Sequence, residues 1–267
     1  MRQLIFFCLL SAVSSGYAES MYTLDLKKDI IIGFVSLGIA ATSLFIHNSV
    51  NGVSKNNFFP SRDGKNAFNS NLMYEYNKPL DIVSDILLYG LFAMPVISLA
   101  GNFTDGYAWV TYGVMFAESV LLVFGTTELL KNLITRYRPF CYFGDVPAGL
   151  EADYYKSFPS RHTAFAFMSA GFLTSTFFTE YPDSPWKIPV AAVSYSMAAV
   201  VGMTRIFSGN HFISDILAGA ALGTVYGYLV PWMHLMKKLN TVPLVPLYNG
   251  FTLVSIFGLN LEADLSP

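Results

Sequence analysis

The chain has 267 residues, 53% hydrophobic and only 13% charged, with a formal net charge of −2 and a mean hydropathy of +0.45. Soluble domains carry about 25% charged residues, so this composition excludes disorder and indicates a membrane protein. The slight acidity lacks the basic excess that nucleic-acid binding needs, and two Cys, one at position 8, cannot build a disulfide scaffold.

Residues 1–18 read as a signal-like segment, with Arg2, an apolar run from Leu4 to Leu10, and small residues around Gly16 and Ala18. The alternative is an uncleaved start of the first membrane helix. Residues 19–240 read as one membrane domain. Its first apolar segment, Ile30 to Ile46, is at the short end of the roughly 17–25 residues that a span needs. A polar stretch from Asn48 to Lys78 reads as a loop, with an amphipathic piece around Ala67 to Tyr76.

Five more apolar segments follow: Leu80 to Leu99, Tyr107 to Leu130, His162 to Thr179, Ile188 to Met203 and Phe212 to Met233. The second holds Asp81, Asp85 and Pro95, and the third holds Glu118 and Glu128. Ionisable groups at membrane depth face the bundle interior and find partners there. In the sixth segment Gly219, Gly223 and Gly227 recur every four residues, a spacing that lets helices approach closely. Residues 241–267 form a tail in which Asn249-Gly250 between apolar runs predicts a short β-hairpin. The expected fold is therefore all-α, a six-helix transmembrane bundle with a small C-terminal appendage.

Charge is scarce, so three clusters stand out. Lys131 and Arg138 are seven residues apart, about two helical turns, and Pro139 marks a helix end. Taken alone, the pair reads equally as a basic membrane flank. Ser160 is a candidate N-cap before Arg161 and His162, where unpaired helix amides and the dipole favour an anion. Arg205 precedes His211 and Asp215, whose four-residue spacing puts both on one helix face. A carboxylate there can fix the imidazole tautomer and leave the other nitrogen free to attack.

With six antiparallel spans, all three clusters fall on one membrane face. Together they supply cations, helix-start amides, two His and an Asp. That set suits phosphoryl transfer, in which cations neutralise charge on the transferring group.

At these residues the sequence resembles the type 2 phosphatidic acid phosphatase superfamily, which includes acid phosphatases and vanadium haloperoxidases. The family pattern is Lys, six residues, Arg-Pro; then Pro-Ser-Gly-His; then Ser-Arg, five residues, His, three residues, Asp. Lys131 with Arg138-Pro139, Pro159-Ser160 with His162, and Arg205 with His211 and Asp215 match it at the same spacings. Arg161 stands where glycine is usual, and Thr204 replaces serine.

The resemblance implies that His211 is the nucleophile, Asp215 its orienting partner and His162 the acid for the leaving oxygen. Lys131, Arg138, Arg205 and Ser160 would hold the phosphoryl oxygens. Arg161 adds a cation that could favour a diphosphate. No metal, no cofactor and no obligate protein partner is implied. Glu128 is expected to pair with Lys131 or another site cation, and Arg136 reads as an auxiliary cation or a flank.

The implied activity is hydrolysis of a lipid phosphate or diphosphate through a phosphohistidine, in a bacterial inner membrane. Phosphatidate, phosphatidylglycerophosphate, undecaprenyl diphosphate and lipid A are the candidates. A soluble periplasmic acid phosphatase, a vanadate haloperoxidase and a non-catalytic membrane protein are the rival readings. Lys27-Lys28 and Lys237-Lys238 flank the helices, and the positive-inside rule turns the motif face to the periplasm. A cleaved signal with six full spans would reverse that orientation.

Overall fold

The structure is a computed structural model, and it describes residues 20–50, 71–99, 106–144 and 153–235. The signal-like segment, most of the polar loop, Lys237-Lys238 and the expected hairpin lie outside the described residues. Among the described residues, six α-helices stand where the apolar segments predict them. They are α1 (Leu26–Val50), α2 (Lys78–Ala93), α3 (Gly106–Leu133), α4 (Arg161–Glu180), α5 (Lys187–Phe207) and α6 (Ile213–Met233). By length and composition, four are apolar enough to cross a membrane: Lys78–Ser98, Gly106–Leu133, Lys187–Phe207 and Ile213–Met233. Exposed Phe34, Ile86, Ile188, Leu217 and Val225 leave an apolar outer surface suited to lipid.

The local signals explain the boundaries. Asn77 caps α2 by accepting the amide of Leu80 at 3.1 Å, with Pro79 in the first turn, where a missing N–H costs nothing. The α-helical part of the second apolar segment ends at Ala93, and Met94–Leu99 continues as a 3-10 helix containing Pro95. Proline cannot donate to the α-helical ladder, so the helix tightens there.

Helix α4 is the centre of the bundle and packs against α2, α3, α5 and α6. Its buried face is built from small residues, including Ala164, Ala166, Ala170 and Gly171. The three glycines of α6 lie directly on it. A Cβ at Gly219, Gly223 or Gly227 would come within 2.5, 2.0 and 2.5 Å of the carbonyls of Ser160, Ala164 and Met168. Only backbone fits at such a contact. The two helices run in parallel, so both N-termini open on the same end of the molecule.

Helix α1 lies against α3, tied by Asn132 Nδ2 donating to Ser43 Oγ at 2.8 Å. At the opposite end Glu180 Oε1 accepts from Ser20 Oγ, the Met21 amide and Tyr112 Oη at 3.0, 3.1 and 2.9 Å. Tyr22, Tyr112, Met115, Phe172 and Val230 pack into one core cluster at that end.

Candidate active site

The end of α3, the starts of α2 and α4, the end of α5 and the turn that leads into α6 surround a pocket of about 350 Å³. Its wall includes Lys131, Arg138, Arg161, His162, Arg205 and His211. Of the eight residues expected to do the chemistry, six therefore meet in one cavity. The other two stand behind it. Ser160 is fully buried as the N-cap of α4, its Oγ accepting the Thr163 amide at 3.4 Å and facing Thr163 Oγ1 at 2.9 Å. Its hydroxyl serves the helix start. Asp215 is also fully buried, in the first turn of α6.

His211 sits in the turn between α5 and α6. Its Nδ1 lies 2.7 Å from the Ser157 carbonyl, which can only accept, so Nδ1 carries the proton. Nε2 then keeps its lone pair, and Arg138 Nη1 lies 3.4 Å from it. Asp215 Oδ2 is 3.7 Å from Nδ1, beyond hydrogen-bond reach. Its oxygens are taken elsewhere: Oδ2 by Ser157 Oγ at 2.6 Å and the Phe212 amide at 2.9 Å, Oδ1 by Arg136 at 2.5 Å. Asp215 thus reaches the imidazole through Ser157. Burial, reinforced by Arg138, Lys131 and Arg205, holds the His211 pKa well below the usual histidine range.

The cations arrive from separate elements. Residues 136–138 pair with 154–157, through Arg136 N to Tyr155 O at 3.0 Å and Arg138 N to Tyr154 O at 2.9 Å. This pairing turns Arg138 inward. Its guanidinium donates from Nε to the Asp153 carbonyl at 2.9 Å and from Nη1 to Asn210 Oδ1 at 3.2 Å. Burial pushes its pKa down to about 10, so it stays charged at neutral pH. Lys131 Nζ donates to the Lys156 carbonyl at 2.6 Å. Arg205 pairs with Asp81 and donates to Ser84 Oγ at 2.9 Å, while its buried Nε has no hydrogen-bond partner among the described residues.

Gly209, at φ +71°, lets the turn before His211 pass within van der Waals range of Tyr74 and Glu75, whose carbonyls would be 2.5 Å from a Cβ.

Apart from Glu128, the acidic side of the pocket had no role assigned from the sequence. Asp81, Asp85, Glu128 and Asp153 all line it. Asp85 Oδ1 lies 2.8 Å from His162 Nε2. Glu128 Oε1 meets Arg161 at 2.5 Å, fulfilling the expectation of a site cation as its partner, and Asp153 approaches Arg138 at 3.8 Å. Arg136 does not line the pocket. It binds Asp215 and lies 4.3 Å over the Phe212 ring.

The acids of α2 were visible as ionisable groups in an apolar run. Nothing in their spacing, however, linked Asp85 to His162, 77 positions away, or Asp81 to Arg205, 124 away. Ser157 carried no signal at all.

Comparison with known proteins identifies the family of the chain. A family model described as the PAP2 superfamily matches residues 109–239. Over 156 residues, the chain is 30% identical to bacitracin transport permease protein BcrC of Bacillus licheniformis, covering 58% of this chain and 70% of that one. It is 31% identical over 144 residues to phosphatidylglycerophosphatase B of Bacillus subtilis, covering 52% and 66%. It is 40% identical over 88 residues to lipid A 1-phosphatase of Porphyromonas gingivalis, covering 33% of this chain and 18% of that longer protein.

Proposed function

The chain belongs to the PAP2 superfamily and is a membrane phosphatase, and from that premise we propose that it hydrolyses a lipid phosphate or diphosphate with His211 as nucleophile. The observation that carries this is the tautomer of His211. Its Nδ1 proton is held by the Ser157 carbonyl, so the Nε2 lone pair faces a cavity walled by Lys131, Arg138, Arg161 and Arg205.

In the first step the Nε2–P bond forms as the bond from phosphorus to the lipid oxygen breaks. His162 gives its proton to that oxygen. In the second step water attacks phosphorus, His162 takes a proton from it, and the N–P bond breaks to release inorganic phosphate. Asp85, on His162 Nε2, orients the ring and keeps the N–H on that nitrogen, so the proton given up and regained is the one on Nδ1. Lys131, Arg138 and Arg205 neutralise charge on the transferring group.

A pocket at one end of an apolar bundle suits a head group at the membrane surface. The names of two relatives, lipid A 1-phosphatase and phosphatidylglycerophosphatase B, support a lipid phosphate as substrate. The basic residues Lys27 and Lys28 lie at the end of α1 away from the pocket, which supports an inner-membrane protein whose pocket faces the periplasm.

The experiment is phosphate release from a panel of purified lipid phosphates, comparing wild type with His211→Ala. We expect release from at least one lipid and a loss of at least about a thousandfold in kcat for the variant, the scale seen when a covalent nucleophile is removed. Trapping with labelled substrate should give an acid-labile phosphoenzyme in wild type only. A His211→Ala protein that releases phosphate at the wild-type rate would refute the assignment.

A further inference from the structure

At the end of the bundle away from the pocket, three helices bring together Asp29, Glu118 and His234. Asp29 is in the first turn of α1, Glu118 is in the middle of α3, and His234 caps the end of α6. One ligand atom from each lies within 4.8 Å of the other two. His234 Nε2 is 3.0 Å from Asp29 Oδ1 and 3.4 Å from Glu118 Oε2. Glu118 and His234 are 5% and 2% exposed. Along α3, Glu118 is thirteen residues from Lys131, about 20 Å at 1.5 Å per residue, so this cluster is separate from the phosphate pocket.

The protonation pattern makes the cluster unusual. His234 Nδ1 lies 2.9 Å from the Val230 carbonyl, which can only accept. Nδ1 therefore carries a proton, and in the neutral ring Nε2 offers a lone pair. With both carboxylates ionised, that lone pair faces two carboxylate oxygens, so three acceptors converge with no donor between them. A second proton on the ring does not resolve this, because a single Nε2–H can point at only one oxygen. Asp29 Oδ1 at 3.0 Å would take it, and the buried Glu118 Oε2 has no hydrogen-bond partner among the described residues. Such an orphan in an apolar interior is costly.

A divalent cation serves all three atoms at once. Two ligands at about 2.1 Å from a metal, at 90–110° to each other, stand roughly 3.0–3.4 Å apart, close to the two separations around Nε2. A ligating histidine that gives its other N–H to a backbone carbonyl is the usual outer-shell arrangement. Two carboxylates and a dication also sum to zero charge, as an apolar setting demands. We propose that Asp29, Glu118 and His234 form a binding site for a divalent transition-metal ion of the Zn2+ or Mn2+ kind. The ion would tie the start of α1 to the end of α6 through α3. The adjacent Thr23 N to His234 O bond, at 3.0 Å, already joins the same segments.

The test uses the full chain in detergent, stripped with chelator and dialysed. Binding of ZnCl2 and MnCl2 is followed by calorimetry and elemental analysis, and melting temperature is measured with and without ion. Wild type should take up one equivalent of at least one of these ions and melt higher with it. Glu118→Gln and His234→Gln should bind at least tenfold more weakly, and His211→Ala should retain the ion, which separates this site from the pocket. Should the two buried substitutions prevent folding, Asp29→Asn at the half-buried ligand provides the weakened site. Wild type that binds neither ion, or variants that bind as wild type does, would overturn the proposal.

Discussion

His211 shows how a single side chain is set for its task by a residue that the motif does not contain. The Ser157 carbonyl fixes its tautomer, and Asp215 acts on it only through Ser157. In the proposed reaction the neutral ring attacks, and burial with three nearby cations keeps it neutral into acid. The acid limb of kcat/KM should therefore fall below the ordinary histidine value of about 6.5.

Stability follows the same sign. The unfolded chain takes up a proton near pH 6.5 that folded His211 refuses, so this contribution is complete above about 6.5 and declines below it. Melting temperature against pH, compared between wild type and His211→Gln, checks the second statement. A profile in which wild type loses nothing extra below pH 6 would contradict it.

Arg161 carries a second prediction at this scale. It occupies a glycine position yet points toward α3, where Glu128 holds it and the Phe124 ring lies 5.7 Å from its guanidinium carbon. If it receives a second phosphate, Arg161→Gly should lower kcat/KM on diphosphate lipids about tenfold relative to monophosphates, the weight of one charge-assisted contact. An unchanged ratio would remove that role.

The cations and histidines were legible because charge is rare in this chain and their spacings are distinctive. Asp85 and Ser157 were not, since each acquires its role only when distant segments meet.

At the scale of elements, all six helices were legible from apolar runs and their punctuation. Pro95 and Asn77 mark boundaries that the structure reproduces. Less legible was that α4, the most polar of the six runs in its Ser and Thr content, is the most central helix. Two of its buried hydroxyls are accommodated by bonding back to their own helix, those of Thr174 and Thr176 at 2.7 and 2.8 Å.

The packing of α4 on α6 also sets the distance between the two histidine-bearing helix starts. Gly223→Ala places a methyl about where the Ala164 carbonyl sits. It should cost roughly 1–3 kcal/mol by overpacking and lower phosphate release in step with melting temperature. Gly113→Ala on the open side of α3, where nothing lies within 4 Å of the added carbon, is the control. Its stability should hold or rise by up to about 1 kcal/mol.

For the whole molecule, the sequence indicated one pocket-bearing end and one opposite end, and the described residues keep that division. Topology can be tested with single cysteines. Cys141 is buried and its thiol is pushed up to about 11, so it reacts poorly, and Cys8 is replaced together with it. In that background Glu75→Cys lies on the pocket end and Asp183→Cys on the other. A membrane-impermeant thiol reagent applied to intact spheroplasts should label Glu75→Cys and spare Asp183→Cys. The reverse pattern would turn the pocket to the cytoplasm.

The pairing of pocket cations with Asp81, Glu128 and Asp153 has a consequence for turnover. Between substrates the cations are screened by internal stand-ins that mimic phosphate oxygens. On the proposed reaction, a lipid phosphate entering the pocket would have to exchange with these carboxylates, and released phosphate would meet them as competitors for the same cations.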